Sequence, residues 1–89
     1  MRKAVRVSKI KPLHYRQRTV EDIEINGEAW VSFDGKLAYP ARVSEKDDCH
    51  YTVQFECRTQ GLNPGSRHLF RLDEVRTTPL LACINMVTF

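Results

Sequence analysis

Residues 28–55 read EAWVSFDGKLAYPARVSEKDDCHYTVQF, and apolar side chains recur in this stretch at every second position in three successive runs. Because side chains of a β-strand alternate between two faces, the pattern predicts three strands, over residues 28–33, 36–43 and 49–55. Asp34-Gly35 between the first two runs predicts a two-residue hairpin turn, since such turns need positive φ. The side chains sharing a face in each strand are Ala29, Val31 and Phe33; Tyr39, Ala41 and Val43; and Tyr51, Val53 and Phe55.

The remaining segments extend this pattern on both sides. Asn26-Gly27 is a strong hairpin signal and predicts that Val20–Ile25 is a strand paired with residues 28–33, although a helical turn capped by Thr19 is an alternative. Further strands are predicted at Arg67–Leu72 and Leu80–Phe89. No connection is long enough for a parallel crossover. The prediction is therefore an all-β fold, a strongly bent antiparallel meander that closes into a small barrel.

Alternation also predicts the core of this barrel. Inward positions of adjacent strands pack together, and a one-residue slip in register would turn the whole set outward. Tyr51 is expected to close the lower end of the core. The other residues expected to be buried are Val31, Ala41, Val43, Val53 and Leu72.

Length and cysteine count limit the kind of protein. The 89 residues suit one domain, predicted over residues 19–89 with a basic N-terminal arm or edge strand over residues 1–18. Three cysteines, an odd number, argue against a disulfide framework and favour a reducing compartment, the cytoplasm. No apolar run is long enough for a transmembrane helix, and no apolar region follows the basic N-terminus as in a secretory signal.

Charge is unevenly distributed along the chain. Residues 1–18 carry +7 and no acidic residue, whereas residues 19–89 carry seven basic and eleven acidic residues, a net −4. A basic segment on a mildly acidic body can attract polyanions, while basic side chains on an edge strand can instead discourage edge-to-edge pairing. The basic residues of this segment are Arg2, Lys3, Arg6, Lys9, Lys11, Arg16 and Arg18.

The apolar positions resemble those of Tudor-type barrels over about residues 28–80. The matching elements are Ala29-x-Val31-x-Phe33-x-Gly35, Tyr39-x-Ala41-x-Val43, Tyr51-x-Val53-x-Phe55 and Phe70-x-Leu72-x-x-Val75-Arg76-x-x-Pro79-Leu80. The resemblance implies a small barrel of the Src-homology type, a fold that hosts several functions.

The resemblance also implies a candidate ligand site, because Tudor-type readers hold methylated lysine or arginine in an aromatic cage. Phe33, Tyr39 and Phe55 match three cage positions. The family's Asp-Tyr-Gly or Asn-Gly segment after the third aromatic is replaced here by residues 56–61, so the fourth wall has no counterpart.

Strand direction independently places these three aromatic residues together. Phe33 ends one predicted strand, Tyr39 begins the next and Phe55 ends the third, so all three lie at one end of an antiparallel meander. Asp34 follows Phe33 and Glu56 follows Phe55, so two negative charges lie beside the rim and favour a cationic guest there. Aromatic faces also attract cations. The alternative is that the rings fill one end of the core.

Trp30 falls on the face opposite to Val31 and Phe33. It is expected to be covered by the N-terminal arm or the C-terminal tail, or to form part of an interface, where tryptophan is enriched.

Catalytic and metal sites are not predicted, and neither is a cofactor. The spacing of the cysteine and histidine residues matches no common zinc pattern. Cys49 and Cys57 lie too far apart along a strand to bind one ion, and no Gly-rich phosphate loop is present. The residues considered for a metal site are Cys49, His50, Cys57 and His68.

The sequence therefore predicts a non-enzymatic binding module with two alternative partners. The first is nucleic acid, bound through phosphate contacts of the basic arm and base stacking on Phe33, Tyr39 and Trp30. The second is a protein: a methylated peptide at the aromatic rim, or a second copy of the chain paired along an edge strand. A membrane partner is not expected.

Overall fold

A computed structural model describes residues 2–7, 20–58, 61 and 63–84, which form a mostly antiparallel β-sheet with one short helix. A 3₁₀ turn at Leu72–Glu74 lies between the last strand and the helix α1, Pro79–Ile84. The prediction of a small antiparallel β fold is confirmed. The strands are β1 (Val5–Arg6), β2 (Glu28–Ser32), β3 (Leu37–Lys46), β4 (His50–Phe55) and β5 (Arg67–Arg71).

The long strand β3 lies at the centre of the sheet. Ala38 pairs with both Val5 and Ser32, so β1 and β2 lie on opposite edges of β3. β4 continues along the β1 edge and β5 pairs with β4. Pro40 has no amide hydrogen to donate. Its partner in β2, Trp30, uses its own backbone groups to bond to Arg76, and on the other edge Pro40 lies between the residues paired with β1 and those paired with β4, so the missing donor interrupts no ladder.

Across the described ranges, no ladder joins β5 to β1 or β2. Closure of the sheet into a barrel therefore stays a prediction. The division between an arm over residues 1–18 and a domain over residues 19–89 also stays a prediction, since residues 8–19 lie outside the described part of the chain.

The β2–β3 hairpin forms as predicted, but its connection has four residues rather than two. The Asp34 carboxylate accepts the backbone N–H groups of Lys36 (2.8 Å) and Leu37 (3.0 Å). Gly35 has a φ of 78° and donates its N–H to Ser32 Oγ at 2.9 Å. Asp34 and Gly35 thus stabilise the reversal of the chain within a four-residue loop: the aspartate accepts backbone N–H groups, and the glycine adopts the left-handed conformation.

The prediction of a strand at Val20–Ile25 is wrong, and so is the alternative of a helical turn. A turn is present, but it is centred on residues 25 and 26: Gly27 donates its N–H to the carbonyl of Glu24 at 2.8 Å, and Asn26 has a φ of 69°. However, the outer edge of β2 pairs elsewhere: Trp30 and Arg76 exchange backbone hydrogen bonds of 2.7 and 3.1 Å. The chain after β5 thus occupies the edge that the predicted strand would have needed.

The prediction of a final strand at Leu80–Phe89 is wrong over residues 80–84, which belong to α1, while residues 85–89 lie outside the described part. Thr78 Oγ1 accepts the N–H of Leu81 at 3.2 Å and caps the helix. Pro79 occupies the first helical position, where its fixed φ is favourable and its missing N–H costs nothing. The helix buries Ala82, Cys83 and Ile84.

Two apolar clusters hold the sheet. The larger one contains Val31, Ala41, Val43 and Val53, each at most 1% exposed, so the predicted register is confirmed. Leu72 is only half-buried at the margin of this cluster, contrary to the prediction. The smaller cluster, Ala38, Ala82 and Cys83, lies where α1 packs on β2 and β3.

Candidate functional site

The aromatic rim forms one end of the larger cluster. The ring centroid of Phe33 lies 5.8 Å from that of Tyr39 and 6.0 Å from that of Phe55. Phe70 of β5 joins them, 5.9 Å from Phe33. Phe55 is 1% exposed and Tyr39 8%, so their faces pack on other protein groups. The three predicted residues do converge: Tyr39 and Phe55 belong to the core, and the half-buried Phe33 packs against it.

The two acidic residues beside the rim are engaged by the protein itself. Backbone N–H groups of Leu37 and Lys36 lower the pKa of Asp34, which is exposed in the hairpin loop. Glu56 accepts hydrogen bonds from the Arg2 guanidinium, which lowers its pKa and outweighs the opposing effect of burial. Glu56 is thus already paired with a cation, whereas Asp34 keeps its charge but has one carboxylate oxygen held by the hairpin backbone.

Arg2 fixes the start of the basic segment to the sheet. Its Nη2 lies 2.6 Å from Glu56 Oε1 and 2.5 Å from the carbonyl oxygen of Ala41. Its Nη1 donates to the carbonyl oxygen of Ala29 at 3.3 Å, and the side chain is only 20% exposed. Arg2 was predicted to contact phosphate, but here its guanidinium is largely occupied by protein acceptors.

Trp30 lies beneath this contact. The guanidinium carbon of Arg2 is 5.1 Å from the centroid of the indole ring, a cation–π distance. Trp30 also packs against the smaller cluster, which includes Ala82 and Cys83 of α1. Trp30 is therefore covered by the beginning of the chain and by the C-terminal helix together, the two covers that the sequence suggested, and its ring is not an open stacking platform.

Lys3 and Arg6, which follow this anchor in the sequence, are both exposed. Neither has an acidic partner within 4.0 Å among the described residues, in contrast to Arg2. Val5–Arg6 pairs with Leu37–Ala38, and the N–H of Val7 donates to the carbonyl of Lys36 at 2.7 Å. The backbone that carries both cations is thus held against β3. The other predicted phosphate contacts lie outside the described residues: Lys9, Lys11, Arg16 and Arg18.

Sequence reasoning missed a second set of basic side chains, on the outer face of the sheet. Arg67, Leu69 and Arg71 of β5 are all exposed, and Leu69 is 60% exposed. The alternation Arg-x-Leu-x-Arg within a predicted strand could have indicated that one face of this strand is basic. A surface cleft of about 550 Å³ is lined by Arg42, Gln54, Phe55, Glu56, Pro64 and Gly65.

It also missed a polar network at the opposite end of the sheet. Arg76, whose side chain is 4% exposed, donates from Nε to Glu21 Oε1 at 2.6 Å. Burial opposes ionisation of Glu21, but hydrogen bonds from Thr77 and Arg76 outweigh burial and lower its pKa. Tyr51 donates its hydroxyl to the Glu21 carbonyl at 2.7 Å and accepts the Ile23 N–H at 3.0 Å. This network fixes residues 20–24 across the end of the core.

The residues considered for metal binding are dispersed. Cys49 is exposed, Cys57 half-buried, and His68 packs its ring against Phe55 at a centroid distance of 5.8 Å. Within the described ranges no three His, Cys, Asp or Glu side chains come together as a metal site. No helix in the same ranges is long and apolar enough to cross a membrane.

Comparison of the chain with protein-family models, with curated proteins and with solved structures finds no match in any of the three. The relationship to Tudor-type barrels therefore stays a prediction, based on the positions of the apolar residues alone.

Proposed function

We propose that this protein is a non-enzymatic module that binds nucleic acid through its basic N-terminal segment. The observation that carries the proposal is the contrast within that segment: Arg2 anchors it to β2 and β3, while Lys3 and Arg6 remain exposed without acidic partners in the described chain. Four further basic residues follow in the sequence before residue 19. The backbone of residues 5–7 is held against β3, which lowers the entropic cost of placing Lys3 and Arg6 on phosphate groups.

The proposed contact is electrostatic and has little dependence on base sequence. Of the aromatic side chains that were expected to stack on bases, Tyr39 is buried, Trp30 is covered and Phe33 is half-buried, so phosphate contacts must supply most of the affinity. We further propose a cytoplasmic location and a Tudor-like barrel that closes through the chain after β5, where Arg76 pairs with Trp30, and that leaves the outer edge of β5 open. The odd number of cysteines supports the location, and the confirmed register of β2, β3 and β4 supports the barrel.

A methylated peptide at the aromatic rim is the weaker candidate. Phe33 is half-buried, so a ring edge remains accessible there. Nevertheless, the Tyr39 and Phe55 rings are buried and both neighbouring carboxylates are engaged. Binding of a methylated cation would require these groups to exchange internal contacts for the ligand.

The salt dependence of binding tests the proposal. We expect the full chain to bind single-stranded and duplex nucleic acid with affinity that falls as salt rises. Changing Lys3 and Arg6 to Gln should reduce the magnitude of the log–log salt slope on duplex DNA by about 0.9 for each phosphate that the variant no longer neutralises. Fluorescence anisotropy at several salt concentrations measures this slope.

The matched control changes Lys46 and Arg58 to Gln, which removes the same charge from other exposed positions. Lys46 pairs with Asp22 at 2.9 Å, away from the basic segment. This control should retain nearly the whole slope. Equal reductions of the slope in the two variants would mean that only net charge matters, and no binding by the full chain at low salt would reject the proposal.

A further inference from the structure

The outer edge of β5 presents backbone groups that β4 does not use. Phe55 donates its N–H to Ser66 O, and Leu72 donates to Cys49 O. Hydrogen-bonded and non-hydrogen-bonded residue pairs alternate along an antiparallel pair of strands. These two bonds therefore imply that the backbone groups of the even-numbered residues of β5 bond to β4, while those of the odd-numbered residues point away from it. The N–H and C=O groups of Arg67 and Leu69 therefore face outward. No strand of the described chain pairs with them.

One end of this edge is already closed. The N–H of Arg71 donates to Glu74 Oε1 at 2.8 Å, and the chain then enters the 3₁₀ turn. The open edge is thus short and bounded, extending from Arg67 to the carbonyl of Arg71. It suits one short extended segment rather than unlimited sheet growth.

Side chains on this edge specify the occupant. Two arginines flank the exposed Leu69, and all three lie on the same outer face. Arg67 has no acidic partner within 4.0 Å in the described chain. Arg71 Nε, in contrast, lies 3.4 Å from Asp73 Oδ1 and 3.6 Å from Glu74 Oε1. A complementary strand needs an apolar residue opposite Leu69 and acidic residues two positions before and after it.

A second copy of the chain fits this edge poorly. Antiparallel pairing of two β5 strands with full overlap places Leu69 opposite Leu69. It then places Arg67 of each copy opposite Arg71 of the other, and like charges directly opposite each other are destabilising. The charge pattern therefore favours a different, acidic partner.

We propose that the outer edge of β5 binds an extended acidic segment of another protein as an added antiparallel strand. Main-chain hydrogen bonds to Arg67 and Leu69 supply the binding, and the two arginines supply the preference for acidic residues in the spacing acid-x-apolar-x-acid. This function is separate from nucleic-acid binding, since it uses β5 rather than the N-terminal segment.

Amide hydrogen exchange of the full chain tests the added strand directly. The probe is a nine-residue peptide with glutamate at its third and seventh positions, valine at its fifth and threonine elsewhere. In the free protein the Arg67 and Leu69 amides should exchange quickly, while those of His68 and Phe70 are protected by β4. At saturating peptide we expect protection of the Leu69 amide to rise at least about tenfold, with little change at His68.

Charge exchange tests the proposed specificity. The variant Arg67→Glu should weaken binding of the glutamate peptide by roughly tenfold, because an attractive cross-strand pair becomes a repulsive one. Replacing the seventh-position glutamate of the peptide by lysine, opposite Arg67 in antiparallel register, should restore binding to that variant. The control variant Lys36→Glu reverses the charge of an exposed cation in the β2–β3 loop and should leave the affinity for the peptide unchanged.

Three results would overturn the proposal. One is unchanged exchange at Leu69 in the presence of the peptide at millimolar concentration. Another is protection of Leu69 by single-stranded nucleic acid but not by the peptide. The third is concentration-dependent self-association that protects Leu69 without any ligand.

Discussion

At the scale of single residues, the fold depends on polar side chains that join distant parts of the chain. Tyr51, Arg2 and Arg76 each contact backbone or carboxylate groups more than 25 residues away in sequence. Tyr51 could be predicted as a buried end of the core from strand alternation, since its position depends only on a local period. Its hydroxyl partners at residues 21 and 23 could not, because no local pattern encodes contacts across 28 or 30 residues.

The contribution of the Tyr51 hydroxyl to stability can be measured by substitution. Tyr51→Phe removes a hydroxyl that donates to Glu21 O and accepts from Ile23 N–H in a side chain 2% exposed. We expect the free energy of unfolding to fall by about 1–3 kcal/mol, because a buried N–H loses its acceptor. Chemical denaturation measures the change.

Tyr39→Phe is the matched control. Tyr39 is also buried, but its hydroxyl makes no hydrogen bond to the described residues. Its removal should cost less than about 0.5 kcal/mol. Equal costs for the two substitutions would contradict the role of residues 20–24 as a segment held by Tyr51.

At the scale of elements, the three central strands and β5, predicted at Arg67–Leu72 and found at Arg67–Arg71, were predictable, whereas the structures of residues 20–25 and 80–84 were not. Residues 28–55 contain their own period, turn signals and register, and the strands form where alternation places them. Residues 20–25 have the same kind of signal, but competition decides their structure: Arg76 takes the edge of β2. The helix at Pro79–Ile84 was missed because its apolar run resembles a buried strand, although Thr78-Pro79 is a helix-start signal.

The attachment of the N-terminal segment to the sheet is expected to depend on pH. The pKa of Glu56 is lowered in the folded protein from an ordinary value of 4.5. A lowered pKa means that the Arg2–Glu56 contact stabilises the fold fully above about pH 4.5, and that this contribution disappears as pH falls through the lower, folded-state pKa. Glu56→Gln should therefore destabilise by about 1–3 kcal/mol at neutral pH and progressively less in acid.

Denaturation monitored by fluorescence of the single tryptophan, Trp30, measures this difference across pH. Glu24→Gln, at an exposed position with no ion pair within 4.0 Å in the described chain, is the control and should have little effect at any pH. A Glu56→Gln difference that stays constant from pH 7 to pH 3 would show that the contact does not depend on ionised Glu56.

At the scale of the whole molecule, the sheet separates two possible binding surfaces. The N-terminal segment lies along the start of β3, while the free edge of β5 lies beyond β4. The aromatic rim, for which the sequence left open a ligand site or a filled end of the core, belongs mainly to the core. Sequence position placed its residues together correctly, but alternation cannot distinguish a ring that fills a core from one that lines an open cage.

The most direct test of the central proposal is a map of the nucleic-acid contact on the intact chain. Backbone amide chemical shifts of the ¹⁵N-labelled protein, followed during titration with a single-stranded oligonucleotide at low salt, report which residues meet the ligand. We predict the largest changes, among the described residues, at Lys3, Arg6 and their neighbours at the start of β3, and their disappearance as salt rises. Changes confined to the aromatic rim or to β5, or no changes at all, would contradict the account.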